Sequence, residues 1–312
     1  MIASELPAVW NVNRRRFRDI YDEFDQTVNW LSQFKSDHLS TRIAKYRKSL
    51  SLLADAHDAG RVRELLESWN EDVLMNDFLE ASSLNLIHRG LCNFDNGDAV
   101  LRDKINDLFS GPDHSNDENP ATSNTLARNT SFELVLSARF ALAGYEIHFD
   151  READLIITDK PSVLFVESKR IYSPERIEGN VRKAFKQLHR RYEAADPKMQ
   201  KRGLIAISIS KLVNPKQKLL STRNVDHLRA VLNKQVVGFI EEHKRHWDRQ
   251  DDRNTVGIII HLHVPAEITD ANEIFTCREI ALKNIQPIGS PEDQYSNEVG
   301  KRLQDAVPRL QA

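Results

Sequence analysis

Asp154, Glu167 and Lys169 stand where a β-sheet would normally carry packing side chains. Asp154 precedes the apolar run Leu155-Ile156-Ile157, and Glu167 and Lys169 follow the run Val163-Leu164-Phe165-Val166. Two apolar runs flanking a Pro-containing turn predict a β-hairpin. Pairing counted symmetrically outwards from Lys160 and Pro161 sets Asp154 opposite Glu167. Pro161 is disfavoured at the third position of a tight type I turn, so a four-residue loop is expected, and an even loop keeps this register. Like charges facing across antiparallel strands cost from a few tenths to about 1 kcal/mol, and more when buried. A divalent cation reverses that sign. Strand side chains alternate, so Glu167 and Lys169 share a face, which adds an ammonium to the two carboxylates. Such a set could hold a metal and activate a nucleophile.

The elements that must position these groups can be read around them. From about Val12 to Phe109 apolar residues recur at helical spacing, as in Phe17, Ile20, Tyr21, Phe24, Val28 and Leu31, which predicts an all-helical domain over residues 1-110. Its default role is partner binding or self-association; the Arg14-Arg15-Arg16 cluster could touch phosphate or form a solvated helix end. Residues 111-124 are polar and turn-rich, as a linker or long surface loop would be. A second domain, 125-312, follows. Thr130-Ser131-Phe132-Glu133 has the pattern of a capping box and opens a helix ending near Gly144, so Glu133 can serve as the N3 partner of Thr130 or as a third acid. After a short strand (145–149) and the hairpin, a helix that starts at Asn180 or Glu178 and runs through Glu193 carries Arg182, Lys183, Lys186, Gln187, Arg190 and Arg191 away from its apolar stripe. This is a local basic patch for a polyanion. Residues 203–210 and 256–264 read as buried strands, 224–247 as a long helix and 274–280 as a further strand. Strands interleaved with helices give an α/β fold with a mixed sheet flanked by helices.

Over 312 residues the chain is 40% hydrophobic and 29% charged with a formal net charge of -2, the balance of a globular protein without a global basic field. Cys92 and Cys277 lack metal-ligand spacing, and no apolar run is long enough to span a bilayer. A cytoplasmic protein with no membrane partner is the expectation. His261 and His263 share one strand face and could bind a metal, but no third ligand accompanies them at recognisable spacing. Two other acid-x-Lys triplets, Glu242-His243-Lys244 and Asp196-Pro197-Lys198, fall in a helix and at a helix stop.

A helical acid, then Asp154, then Glu167-Ser168-Lys169 within a strand, then a polar helix and a buried strand: this order resembles the core of the PD-(D/E)xK nuclease superfamily, the restriction-endonuclease-like fold, over roughly residues 125–210. The resemblance implies Asp154 and Glu167 as ligands of a catalytic Mg²⁺, replaceable by Mn²⁺, with the Ser168 carbonyl completing the protein ligands. It implies Glu133 as a further metal or metal-water ligand, Lys169 as the group that orients the attacking water and stabilises the transition state, and Gln187 as a polar site residue on the following helix. The activity implied is hydrolysis of phosphodiester bonds, with DNA as the expected nucleic-acid partner and Arg182, Lys183, Lys186, Arg190 and Arg191 as its phosphate contacts. The alternative is a catalytically inactive nuclease-fold subunit of a bacterial defence or repair complex, recruited through the helical domain or as a homo-oligomer.

Overall fold

The computed structural model describes residues 8–13, 16–35, 41–94, 97–119, 121–122, 124–248, 252–271 and 273–306. Its centre is the expected hairpin. Strand β3 (Leu155–Asp159) pairs with β4 (Ser162–Arg170) in the register Leu155↔Val166 to Asp159↔Ser162. Extended by one residue, this sets Asp154 against Glu167. The loop is shorter than expected. Lys160 and Pro161 alone make the turn, through a cis Lys160–Pro161 peptide, the arrangement that accommodates Pro at the third turn position.

Among the described residues the hairpin belongs to an eight-stranded mixed sheet. Strand β2 (Glu146–His148) pairs antiparallel with β3 on one side, while β4, β5 (Gln200–Ser208) and β7 (Thr255–Ile268) run parallel through the middle. Beyond β7 lie β8 (Glu273–Asn284) and β1 (Ala8–Asn13), both antiparallel to their neighbours, and the short β6 (Leu220–Thr222) extends along the far end of β7. The fold is therefore mixed α/β. Apolar residues on both faces of β4, β5 and β7 account for their nearly continuous hydrophobic runs.

Two cores sandwich the sheet. On one face Phe165, Ile205, Ile207, Ile258 and Ile260 pack under α7 (Ile177–Ala194) and α9 (Val225–His243). On the other, Leu164, Val166, Leu204 and Ala206 join a core that runs through α6 (Leu126–Leu142) into α1 (Phe17–Leu31), α2 (Arg42–Asp58), α4 (Glu71–Leu91) and α5 (Ala99–Asp107), and also takes in Val299 and Leu303 of α10 (Pro291–Asp305). The helices expected to form a separate 1-110 domain thus share a core with one face of the sheet. Residues 8–13, preceding them, pair at its edge. The 111–124 stretch is likewise docked: Glu118 is buried against Arg170, and the Ser115 N–H donates to Asn76 Oδ1. Its polarity reflects buried ion pairs and hydrogen bonds, which composition alone does not separate from solvent exposure. Arg14, Arg15, Pro120 and Ser123 lie outside the described residues, and Arg16 is exposed and paired with Asp19.

The seam between α4 and α6 is close. A Cβ added to Gly90 of α4 would stand 2.5 Å from both Cα and Cβ of Ala138 on α6. Backbone cannot swing aside as a flexible side chain can, so Gly90→Ala should force the helices apart. We expect a loss of about 1–3 kcal/mol, read as a lower urea midpoint at unchanged m-value.

Candidate active site

Alternation along β4 sends Phe165, Glu167 and Lys169 to one side and Val166, Ser168 and Arg170 to the other. Glu167 is fully buried, 0% exposed, and neither of its carboxylate oxygens has a hydrogen-bond partner among the described residues. Its neighbours are charged. Lys169 Nζ lies 3.7 Å from Glu167 Oε2 and 4.0 Å from Asp154 Oδ2, and Arg191 Nε lies 3.5 Å from Glu167 Oε1. Asp154 is held by the backbone, its Oδ2 accepting the Ser168 N–H at 2.6 Å. The Lys169 ammonium donates to the Ser168 carbonyl at 2.7 Å, so that carbonyl, an expected metal ligand, is engaged by the site's own lysine.

Glu133 enters from α6. The helix begins at Leu126, more than a turn earlier than expected, so Thr130 is an interior residue and the capping-box reading falls. The residues before Thr130 are compatible with helix, and tertiary packing of Ala127 and Arg128 extends it. Relieved of a capping role, Glu133 forms an ion pair at 2.6 Å with Lys104 of α5. Burial and the nearby Asp154 carboxylate push its pKa up to about 7, against the opposing pull of Lys104 and Lys169. Glu167 is raised to about 7 for the same leading reasons, burial and then Asp154, with Lys169 and Arg191 acting the other way.

The basic helix divides. On α7, Arg182, Lys183, Lys186 and Arg190 are exposed, Arg182 pairing with Glu178 four residues earlier. Arg191 instead turns inward, bridging Glu152 at 2.9 Å and approaching Glu167. It therefore lies at the carboxylates and not on the exposed phosphate-facing row expected for it. Gln187, one turn before Arg191 and on the same helix face, is half-buried with an amide oxygen that lacks a hydrogen-bond partner. Lys104 was not foreseen, because nothing local in α5 distinguishes it from a surface lysine; Arg191 carried the signal of standing four residues after Gln187.

The charge arrangement sets what could bind. Among the described residues no group of three or more His, Cys, Asp or Glu side chains converges as a metal cluster. Glu133, tied to Lys104, does not complete a three-acid set, and Asp154 with Glu167 is the remaining pair. Two hard carboxylates suit Mg²⁺, which takes one or two carboxylates and fills its other positions with water and substrate phosphate oxygens. The unpartnered oxygens of Glu167 fit such a ligand role, since a buried carboxylate without hydrogen bonds is otherwise costly. His261 and His263 lie elsewhere, on β7, and are both held well below the ordinary imidazole range, by burial first and by nearby arginines second. No protein-family model, curated protein or solved structure matches the chain.

The raised carboxyl of Glu167 makes stability depend on pH. Without divalent ions the folded state holds more protons here than the unfolded chain between about pH 4.5 and 7. Stability should fall as pH rises through that window and level off above it. The shift is worth about 3 kcal/mol for a fully buried group. Glu167→Gln should flatten this component, so in urea titrations across the window the variant gains on the parent protein as pH rises; parallel curves would contradict the assignment.

Proposed function

We propose that the chain is a metal-dependent nuclease that hydrolyses phosphodiester bonds, with DNA as its substrate and a restriction-endonuclease-like core. The observation that carries this reading is Glu167: a fully buried carboxylate with neither oxygen hydrogen-bonded among the described residues, beside Asp154 and within 3.7 Å of the Lys169 ammonium. A purely structural ion-pair cluster would satisfy those oxygens with hydrogen bonds. The order α6, β2, β3, β4, α7, β5, with β4 and β5 parallel, is in keeping with that core.

In this reading Asp154 and Glu167 would hold Mg²⁺, or Mn²⁺ in its place, which when bound would supply positive charge to the phosphoryl group and lower the pKa of water at the site. Lys169 brings its ammonium to the charge that develops as the phosphodiester is attacked, where a fixed cation is worth most. Arg191 offsets the charge of Glu167 and orients its carboxylate. Glu133, with its carboxyl near 7, can take or return a proton at neutral pH. Gln187 lies on the helix that would face substrate, and the exposed Lys183, Lys186 and Arg190 supply backbone phosphate contacts that do not depend on sequence.

Two outcomes test the reading. Purified protein should cut linear or circular DNA with Mg²⁺ and not with chelator, and Glu167→Gln or Lys169→Met should lower the rate by about 10²-fold or more with circular dichroism unchanged. Cleavage by both variants at the parental rate sinks the proposal. Separately, the triple variant Lys183→Ala, Lys186→Ala, Arg190→Ala should raise KM for DNA with little change in kcat. It should also lower the salt-dependence slope by about 1 for each phosphate that is no longer neutralised.

A further inference from the structure

A second polar site lies at the carboxyl ends of the parallel strands, independent of the carboxylate cluster. There a cavity of about 80 Å³ opens between α4, α6, the short helix α8 (Ser210–Val213) and the sheet, lined among others by Arg128 with its partner Glu80, Arg170, Lys211, His261 and His263, with Ser131 beside them. This is room for several waters, each of which needs about 10–15 Å³, or for one small oxyanion. Arg170 ends β4, Ser208 ends β5, and His261 pairs with Ser208 on β7. The crevice outside the carboxyl ends of such strands is where open α/β sheets receive ligands.

The wall is built and unfinished. His261 is 5% exposed and neither ring nitrogen has a hydrogen-bond partner among the described residues; His263 Nε2 also lacks one there. Phe132 packs against the His261 ring at 5.2 Å between centroids and fixes its plane. The surrounding charge is positive. Glu80 is taken by Arg128 at 2.7 Å, and Glu118 by Arg170 at 2.8 and 2.9 Å. Lys211 Nζ donates to neutral oxygens, those of Ser115 at 2.6 and 3.1 Å, of Asn116 at 3.2 Å and of Pro215 at 3.4 Å, and burial lowers its pKa to about 8. Behind the histidines stand two further buried guanidiniums: Arg139, with Nε and Nη2 unpartnered, and Arg278, which donates to Ser83 at 2.8 Å.

These charges decide the ligand. A metal ion on the two histidines would meet Arg139 and Arg278 with no carboxylate among its ligands, and like charges in a poorly solvated interior repel strongly. An anion meets the reverse: imidazole N–H donors, the Ser131 hydroxyl and a positive surrounding to which Lys211, its protons already given to neutral oxygens, adds charge. We propose that this cavity binds a tetrahedral oxyanion of the phosphate class, free or as the terminal phosphate of a nucleotide. The site serves no step of the nuclease reading and stands or falls without it.

Inorganic phosphate, dAMP and deoxyadenosine, each titrated into the full chain at constant ionic strength in a phosphate-free buffer, test this by calorimetry together with NMR of the imidazole nitrogens. Saturable phosphate binding that moves the His261 and His263 ring signals is expected, with deoxyadenosine inert. Equal affinity for dAMP assigns the pocket to the phosphate group alone, and tighter dAMP binding to a nucleotide end. His261→Phe should weaken binding about tenfold or more, the cost of losing one hydrogen bond to a charged group, and Lys211→Met should weaken it measurably through the lost positive charge. Absence of saturable binding, unmoved imidazole signals in the parent protein, or parental affinity in both folded variants overturns the proposal.

Discussion

A carboxylate removed from water and given no hydrogen bond is among the least stable arrangements a protein can contain. Glu167 is in that position, on a strand whose register places Asp154 beside it. Much of the surrounding architecture compensates for it. Lys169 follows two residues later on the same face, Arg191 reaches in from α7, and Glu133 is neutralised by Lys104 from α5. Each comes from a different element, so the site exists only when both layers of helices are docked on the sheet. Removing one partner of such a set costs more than the set contributes, because the remaining charge stays buried. The cluster is thus a poor source of stability.

The hairpin was legible because side chains repeat with period two: once apolar runs flank a turn, a one-residue slip would bury the wrong face, so Asp154 opposite Glu167 follows from alternation. Helices α7 and α9 were legible for the corresponding reason at helical spacing. What failed depended on tertiary context. The local pattern at Thr130 matched a cap, but the helix continues upstream, and Glu133 changed its role accordingly. Strand β6 is only three residues long, too short to show a period, and β1, whose Trp10-Asn11-Val12-Asn13 alternates apolar and polar, overlaps the start of the helical reading near Val12. The 111–124 stretch looked solvated because its polar groups are satisfied by partners distant in sequence, such as Asn76 and Arg170. Arg191 was grouped with its basic neighbours because composition does not reveal which lysine or arginine of a helix turns inward.

Strand β4 joins the two polar regions. Lys169 faces the carboxylates and Arg170, the next residue, faces the cavity that holds His261. Glu118 clamps Arg170 with both oxygens, and the Ser168 backbone N–H holds Asp154. Successive residues of one strand therefore anchor charge networks on opposite sides of the sheet, and the rigidity of a central parallel strand keeps them in fixed relation.

The pairing of β1 with β8 also constrains how the protein is made. Ala8 aligns with Ala281, so β1 leaves the ribosome long before its partner. At about 5–20 residues per second, β1 waits on the order of 15–55 s as an unpaired edge while the helices behind it are already free to collapse. Synthesis must keep that short strand from foreign pairing, and the sheet closes at this edge only once β8 has emerged.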